Sequence, residues 1–304
     1  MSLKSAWSAW ERWWFGPTDP RRMALLRIGW ALLALWCYVP MFSELDWMLT
    51  DAGTYSVQAR LDNWSPARWN LYANPLWQVG SLEGVQLIFG TGLLMVALAG
   101  AGVFTRVTFP LAWLIILSAA NRNPVWSDGS DAILRVFGFY MLFMPLGRSW
   151  SFDAWLRVRR GKADPGLPSK WALRLFQLQA AVLYVKTGLI KVMQERWQSG
   201  EAVWHALSAQ VYWRFQMEDV LATRAMEWFS IAATYGTLVF ELGWPLIFFR
   251  RLRWPMIIGG LGLHLGIWVF LNLGGFSEAI LWCYLAFVVP AAWRVGDTGD
   301  APER

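Results

Sequence analysis

Long apolar runs separated by short polar segments are the feature that most restricts what this chain can fold into. A membrane-spanning helix needs about 20 largely apolar residues, and residues 23–42 form the first run of that kind. Charged residues make up 16% of the chain, against about 25% in soluble domains. Backbone in lipid must satisfy its own hydrogen bonds, and runs of this length do so as helices. The predicted fold class is therefore all-α, a polytopic integral membrane helical bundle.

The runs predict about eight transmembrane helices. The predicted spans are 23–42, 85–104, 107–120, 131–146, 171–193, 226–249, 254–273 and 277–293. Residues 1–20 place tryptophans at helical spacing, which predicts a helix lying in the membrane interface. Residues 43–80 and 194–224 are more polar and predict extracytoplasmic loops. We interpret residues 1–304 as a single transmembrane domain.

Basic residues cluster in three segments between the runs, namely 21–22, 148–170 and 250–253. Basic clusters favour the cytoplasmic side of a membrane. With eight spans, all three clusters fall on that side when the N- and C-termini are cytoplasmic. This pattern predicts a multi-pass protein of the cell's inner membrane, in contact with the lipid bilayer. The net charge of +6 is thus a topological signal, and nucleic acid is not an expected partner.

Charged residues inside the spans are candidates for function, because burying charge in lipid is costly. Lys186 and Lys191 lie in the fifth span and Glu241 lies in the sixth. Tyr184, Gly188 and Lys191 share one helix face, whereas Lys186 points about 140° away from Lys191. Lys191 is near the outer end of its span and can snorkel to the headgroups. Lys186 lies deeper, and Glu241 is its first candidate partner.

Two further polar positions leave both a structural and a functional interpretation open. Asp131 and Arg135 form an i, i+4 pair near the outer end of the fourth span, either as glue between helices or as part of a polar cavity. His264 lies in the middle of the seventh span, where a hydrogen-bonded core residue is the commoner role. Gly262 and Gly266 on either side of it predict close helix packing.

A metal centre is not predicted. The two cysteines, Cys37 and Cys283, lie singly in apolar runs, and the two histidines, His205 and His264, are far apart in the chain. A cleavable signal peptide is not expected either, since no short apolar segment with a small-residue cleavage site follows the N-terminus.

Four stretches, taken in order, resemble the HTTM (horizontally transferred transmembrane) family, which is related to the membrane domain of vitamin K-dependent gamma-carboxylase. They are FGPTDPRRMALLRIGWALLALW, NRNPVWSDGSDAILRVFGFYMLFMPLGRSWSFDAW, YVKTGLIKVMQERWQSG and HLGIWVFLNLGGFS. The third resembles the carboxylase segment that holds the lysine proposed as its base. The fourth resembles a late carboxylase helix with a histidine followed by Phe–Ser.

The resemblance implies that Lys191 is a base and that His264 is a second catalytic residue. It also brings Asn123 and Asp131, from the second stretch, into a predicted cofactor site with Tyr184 and Gly188. The implied cofactor is a reduced, vitamin K-like quinone.

The sequence also departs from the carboxylase pattern. Ile190 precedes Lys191 where the carboxylase has adjacent lysines, and the carboxylase's large lumenal domain has no counterpart in residues 1–304. We therefore expect an integral membrane protein with an outward-facing polar pocket that binds a quinone or lipid. An extracytoplasmic protein is a further expected class of partner. The alternative is a carboxylase-type membrane enzyme that uses a reduced quinone, with Lys191 as base.

Overall fold

A computed structural model describes residues 3–62, 74–123 and 125–288. Four predicted features lie wholly or partly outside these ranges: the first two residues of the interfacial helix, part of the 43–80 loop, the end of the eighth span and the C-terminal tail. The described residues form α-helices joined by turns and 3-10 segments. The only β-type contacts among them are isolated bridges, from Pro17 to Ser169 and from Trp213 to Leu271.

We number the α-helices of eight or more residues in chain order. They are α1 Leu3–Phe15, α2 Pro20–Tyr38, α3 Leu82–Ala101, α4 Thr105–Arg122, α5 Gly129–Met141, α6 Phe152–Arg159, α7 Trp171–Val192, α8 Arg224–Gly243, α9 Arg253–Phe270 and α10 Phe276–Cys283.

The prediction of an all-helical membrane protein is confirmed at that level. Three stretches are long and apolar enough to cross a membrane: Pro20–Leu49, Leu82–Ala101 and Arg224–Phe248. They coincide with the first, second and sixth predicted spans. The other predicted spans fall on helices that are shorter or less apolar, so the count of eight stays a prediction. The fourth span, predicted over 131–146, is helical only over α5, because the chain turns irregular before Pro145.

Helix ends follow local capping chemistry. Asp19, Ser81 and Thr223 accept hydrogen bonds from the first-turn backbone of α2, α3 and α8. Asp128 and Asp131 form a reciprocal capping box at the start of α5. α3 ends at Gly102, whose φ of 76° is a conformation that favours glycine.

Helix α8 buries a polar face and exposes an apolar one, whereas a helix of a soluble protein does the opposite. Its buried face is polar and carries Ser230, Thr234, Thr237 and Glu241, at i, i+4, i+7 and i+11. Large apolar side chains such as Val239 are exposed on the other side. An apolar surface around a polar interior is the arrangement that a lipid solvent favours.

The helices form two compact units. The first comprises the described residues up to Phe176 together with Val288, and its core includes the packed rings of Trp30 and Phe109. The second comprises Gln177–Phe287 and includes most of α7 together with α8, α9 and α10. The prediction of a single domain is not tested by this division, which concerns packing alone.

The segments predicted as loops contain helices of their own. Within the described part of 43–80 these are Leu45–Leu49, Val57–Asp62 and the 3-10 turn Pro75–Trp77. Residues 194–224 pack directly on α8, since the Val203 amide donates to Thr234 Oγ1 (3.1 Å) and the Tyr235 hydroxyl donates to the Gln198 carbonyl (2.8 Å). The N-terminal helix α1 has no buried residue, and its position in the membrane interface stays a prediction.

Candidate functional site

The packed face of α7 is the one that the helical period predicts. Tyr184 and Gly188 are buried and Lys191 is partly buried, while Lys186 is exposed on the other side. A Cβ built on Gly188 would lie 3.0 Å from Leu242 and 3.2 Å from Glu241. Gly188 therefore lets α8 approach α7 closely, and its contact with a cofactor stays a prediction.

Lys191 Nζ forms an ion pair with Glu241 Oε1. The side chain of Lys191 is 25% exposed and that of Glu241 is 8% exposed. The predicted pairing of Glu241 with Lys186 is therefore wrong, because Lys186 lies on the other side of α7 and within the described residues makes no ion pair. The Lys191 ammonium also lies over the Trp197 ring, 4.9 Å from its centroid, an attractive cation–π geometry.

A short hydrogen-bond chain lies on the same face of α7. The Tyr184 hydroxyl is 2.7 Å from His264 Nε2 and 2.7 Å from the Tyr284 hydroxyl. Tyr184 has one hydroxyl proton, so the chain runs in one of two directions. If Tyr184 donates to His264, the free Nδ1 of the histidine carries its proton and is a donor. If His264 donates to Tyr184, Nδ1 is an acceptor.

Trp244 packs against both tyrosines of this hydrogen-bond chain. Its ring stacks on Tyr184 at a centroid distance of 4.2 Å and on Tyr284 at 5.0 Å. We call the group Lys191, Glu241, Tyr184, His264, Tyr284 and Trp244 the Lys191 cluster. All six residues belong to the second unit.

Three buried atoms of the Lys191 cluster have no hydrogen-bond partner in the part of the chain that the structure describes. They are Glu241 Oε2, His264 Nδ1 and Trp244 Nε1. Ser230 Oγ, at the far end of the buried polar face of α8, and Glu278 Oε2, on α10, are two further such atoms in the second unit. Buried polar atoms are satisfied in the large majority of cases, so three unsatisfied atoms on neighbouring residues of one cluster are an unusual feature.

Asn123 and Asp131, predicted to bind a cofactor, lie in the first unit and hold backbone in place. Asn123 donates to the Met48 carbonyl (2.8 Å) and accepts from the Val125 amide. Asp131 accepts from the Tyr38 hydroxyl (2.5 Å) and the Asp128 amide (2.9 Å). Both carboxylate oxygens of Asp131 are occupied by these contacts.

The Asp131–Arg135 pair does not form through the carboxylate. Arg135 Nε instead donates to the backbone carbonyl of Asp131, at 3.1 Å. Its Nη atoms point to Asn121 and Ser127, at 3.4 and 3.3 Å. The structural interpretation of this pair is the one that the contacts support.

Sequence reasoning missed Tyr284, Trp244 and Trp197. A glycine of α9 does indicate where Tyr284 packs, but it is not one of the two glycines that the sequence analysis singled out. A Cβ on Gly262 or Gly266 would meet no neighbour within 4 Å, whereas one on Gly260 would lie 2.0 Å from the Tyr284 hydroxyl. The expectation of close packing at Gly262 and Gly266 is therefore wrong, and Gly260 is the position that makes room for the Tyr284 ring.

The fold and the cluster define an all-helical membrane protein with a buried polar site. The family model of the HTTM domain matches residues 15–293, which is nearly the whole chain, and the chain belongs to this family. It matches no curated protein and no solved structure. Among the described residues, no group of three or more His, Cys, Asp or Glu side chains is arranged to hold a metal ion.

Proposed function

We propose that this protein is an integral protein of the cell's inner membrane that binds a quinone- or lipid-like molecule at the Lys191 cluster. The observation that carries the proposal is the set of unpartnered buried atoms on Glu241, His264 and Trp244. Each such atom costs about 1–3 kcal/mol, and more when it is charged. A ligand that supplies the missing hydrogen bonds removes this cost.

The donor and acceptor types of these atoms favour a reduced quinone over a lipid ester. An ionised Glu241 only accepts, the Trp244 indole only donates, and His264 Nδ1 takes either role. The hydroxyl groups of a hydroquinone donate to a carboxylate and accept from an indole. A lipid ester offers acceptors only and leaves Glu241 unsatisfied. When bound, a reduced quinone supplies an oxidisable ring and two ionisable hydroxyl groups.

The Lys191 side of the cluster is the proposed entrance. Lys191 is partly exposed, and Trp197, which lies against it, comes from the segment predicted to be extracytoplasmic. A molecule arriving from that side, either a membrane-soluble ligand or an extracytoplasmic protein, would meet Lys191 first. In this topology both chain termini lie in the cytoplasm.

The enzymatic alternative is a carboxylase-type reaction with Lys191 as base, and the observation behind it is the Lys191–Glu241 contact, which places a proton acceptor beside the ammonium group. An ammonium group cannot accept a proton, so Lys191 must first lose one, and Glu241 is the acceptor in contact with it. His264 and Tyr184 would then relay protons beside the base.

The test is to purify the full chain with its native lipids and identify co-purified hydrophobic molecules by mass spectrometry. We expect a quinone or lipid with the wild type and at least a tenfold loss of it with Glu241→Gln and Lys191→Met. Lys186→Met is the matched control, because it removes an exposed lysine of the same helix and should retain the molecule.

Two results would contradict the proposal. One is a wild-type protein that carries no specific molecule above the bulk lipid background. The other is equal retention by Lys191→Met and Lys186→Met. An assay with an added reduced quinone and dioxygen as the two-electron oxidant, followed spectrophotometrically, separates the two candidate functions, since only the enzymatic one predicts turnover that Lys191→Met abolishes.

A further inference from the structure

A cavity of ≈ 740 Å³ lies in the first unit, and none of its lining residues belongs to the Lys191 cluster. Its walls come from the start of α4, the segment that follows α5, and α6. Three arginines line it, Arg106, Arg148 and Arg157, together with one acidic residue, Asp153. The difference of three positive and one negative side chain gives the cavity a net charge of +2.

The acidic residue does not neutralise the arginines. Asp153 accepts hydrogen bonds from the amides of Phe104 and Thr105, both at 2.8 Å, and from the Thr105 hydroxyl at 2.7 Å. Its carboxylate therefore caps the start of α4. Within the described residues, none of the three arginines forms an ion pair.

Most of the donor capacity of the arginines remains unused. Arg148 donates one hydrogen bond, to the Gly166 carbonyl at 2.8 Å, and Arg157 donates one to the Gly147 carbonyl at 3.4 Å. A guanidinium carries five N–H donors in a planar fork, which suits phosphate. Three such groups around one cavity form a receptor for a phosphate-type anion.

The rest of the cavity wall is apolar and continues onto exposed hydrophobic surface. Phe104, Val107 and Phe143 line the cavity, and each is exposed, Phe104 by 62%. A soluble phosphorylated molecule has no apolar part that would cover this wall. A phospholipid has one, because its acyl chains can lie on the apolar surface while its phosphate reaches the basic groups.

We propose that this cavity binds the headgroup of an anionic phospholipid. The phosphodiester lies among Arg106, Arg148 and Arg157, and the acyl chains extend over Phe104 and Phe143. Two of the lining arginines, Arg148 and Arg157, belong to the basic segment 148–170. Basic pockets between membrane helices are known receptors for anionic headgroups. The inference is independent of the proposed function, because it concerns a separate set of residues.

The test is native mass spectrometry of the detergent-solubilised full chain, titrated with dioleoylphosphatidylglycerol, dioleoylphosphatidylcholine or inorganic phosphate. We expect the phosphatidylglycerol adduct to persist under activation that removes phosphatidylcholine and phosphate. The variant Arg106→Gln/Arg148→Gln/Arg157→Gln should bind phosphatidylglycerol roughly 100-fold more weakly, since each basic group near an anionic lipid contributes about a fivefold effect.

A matched variant separates this site from general electrostatic attraction. Arg159→Gln/Arg160→Gln/Lys162→Gln removes three positive charges from the same segment but none from the cavity lining, and it should keep the phosphatidylglycerol adduct. Equal weakening by both triple variants, or equal binding of all three titrants, would overturn the proposal.

The single variant Arg106→Gln tests the site even if the triple variant does not fold. The Arg106 side chain makes no hydrogen bond to the described residues, so its loss should leave the fold intact and weaken phosphatidylglycerol binding about fivefold. Unchanged binding by this variant at an unchanged melting temperature would also count against the site.

Discussion

Arg27 in the first unit and Lys191 in the second are both cations inside predicted membrane spans, and their surroundings differ. Arg27 is fully buried, and its guanidinium donates to the backbone carbonyls of Gly100, Leu146, Ser149 and Trp150. All three guanidinium nitrogens are engaged. The side chain thus ties the chain between α5 and α6 to α2 and α3.

Lys191 lies in a cluster that is less completely satisfied. Glu241 balances its charge, yet the second carboxylate oxygen, the free histidine nitrogen and the indole nitrogen of Trp244 are left without partners. A buried cation whose partners are all protein groups serves the fold. Lys191 instead lies beside buried atoms that have no such partner among the described residues. The stability predictions for Arg27, Lys191 and Tyr184 test this contrast, and a fourth, for Asp19, concerns a helix cap.

The largest effect is expected for Arg27→Met. The change leaves several buried carbonyls without a donor, and we expect the free energy of unfolding to fall by roughly 3–5 kcal/mol. Thermal unfolding in detergent measures it. Arg27→Lys keeps the charge but has fewer donors and should recover only part of the loss. The exposed Lys162→Met is the control, and a comparable loss there would remove Arg27 from its structural role.

A smaller loss is expected when the ion pair of the Lys191 cluster is broken. Lys191→Met leaves Glu241 buried without a counter-ion, which should cost about 2–3 kcal/mol, below the usual range for fully buried pairs because Lys191 is partly exposed. The double variant Lys191→Met/Glu241→Leu should recover most of this in the same unfolding assay. Lys186→Met should change stability by less than about 0.5 kcal/mol. A Lys186 effect as large as that of Lys191 would contradict the observed pairing.

Removal of the Tyr184 hydroxyl should have an intermediate effect on stability. Tyr184→Phe leaves the ring stacked on Trp244 but deprives His264 Nε2 and the Tyr284 hydroxyl of their shared partner. We expect a loss of about 1–2 kcal/mol. Tyr235→Phe, which removes an exposed hydroxyl bonded to a single carbonyl, is the comparison, and it should cost less. The two variants behaving alike would show that the hydrogen-bond chain contributes little.

The smallest effect concerns Asp19, which caps α2 outside the membrane. Burial raises the pKa of Asp19, but hydrogen bonds and charge from Arg21 outweigh it and hold the pKa below its usual value. A lowered pKa contributes stability above the unfolded value of about 3.9, and this contribution is lost as pH falls through the folded pKa. The stability difference between wild type and Asp19→Asn should therefore shrink below about pH 4. A difference that grows with acidity would contradict this sign.

Asp19→Ala separates the cap from the charge. Asparagine is as good an N-cap as aspartate, whereas alanine removes the side-chain acceptor and should cost about 1 kcal/mol at any pH. Unfolding measured at neutral and acidic pH checks both variants. Identical pH profiles for Asp19→Ala and Asp19→Asn, with no offset between them, would remove the capping role.

Much of the candidate site on α7 could be predicted from its own sequence. The helical period brings Tyr184, Gly188 and Lys191 to one face and turns Lys186 away from it, and the structure has this arrangement. The predicted partner of Glu241 is wrong, because the pairing with Lys186 depends on the depth of each residue along its predicted span. Depth depends on how helices distant in sequence pack, which local periodicity does not encode.

The interpretation of Asn123 and Asp131 as ligand-binding residues stays a prediction. Their polarity is visible in the sequence, but asparagine and aspartate also cap helices and order turns. Only the contacts distinguish the two uses, and here they are with Met48, Val125, Tyr38 and Asp128.

The sequence by itself determined the family, the helical class and the faces of individual helices. These follow from composition, from ordered motifs and from the 3.6-residue period, all of which are local properties of the chain. The tertiary structure alone decided that Lys191 meets Glu241, that Tyr184 joins His264 to Tyr284, and that Arg27 is held by carbonyls. Each of these contacts joins residues about 50 to 120 positions apart, and packing between helices selects them.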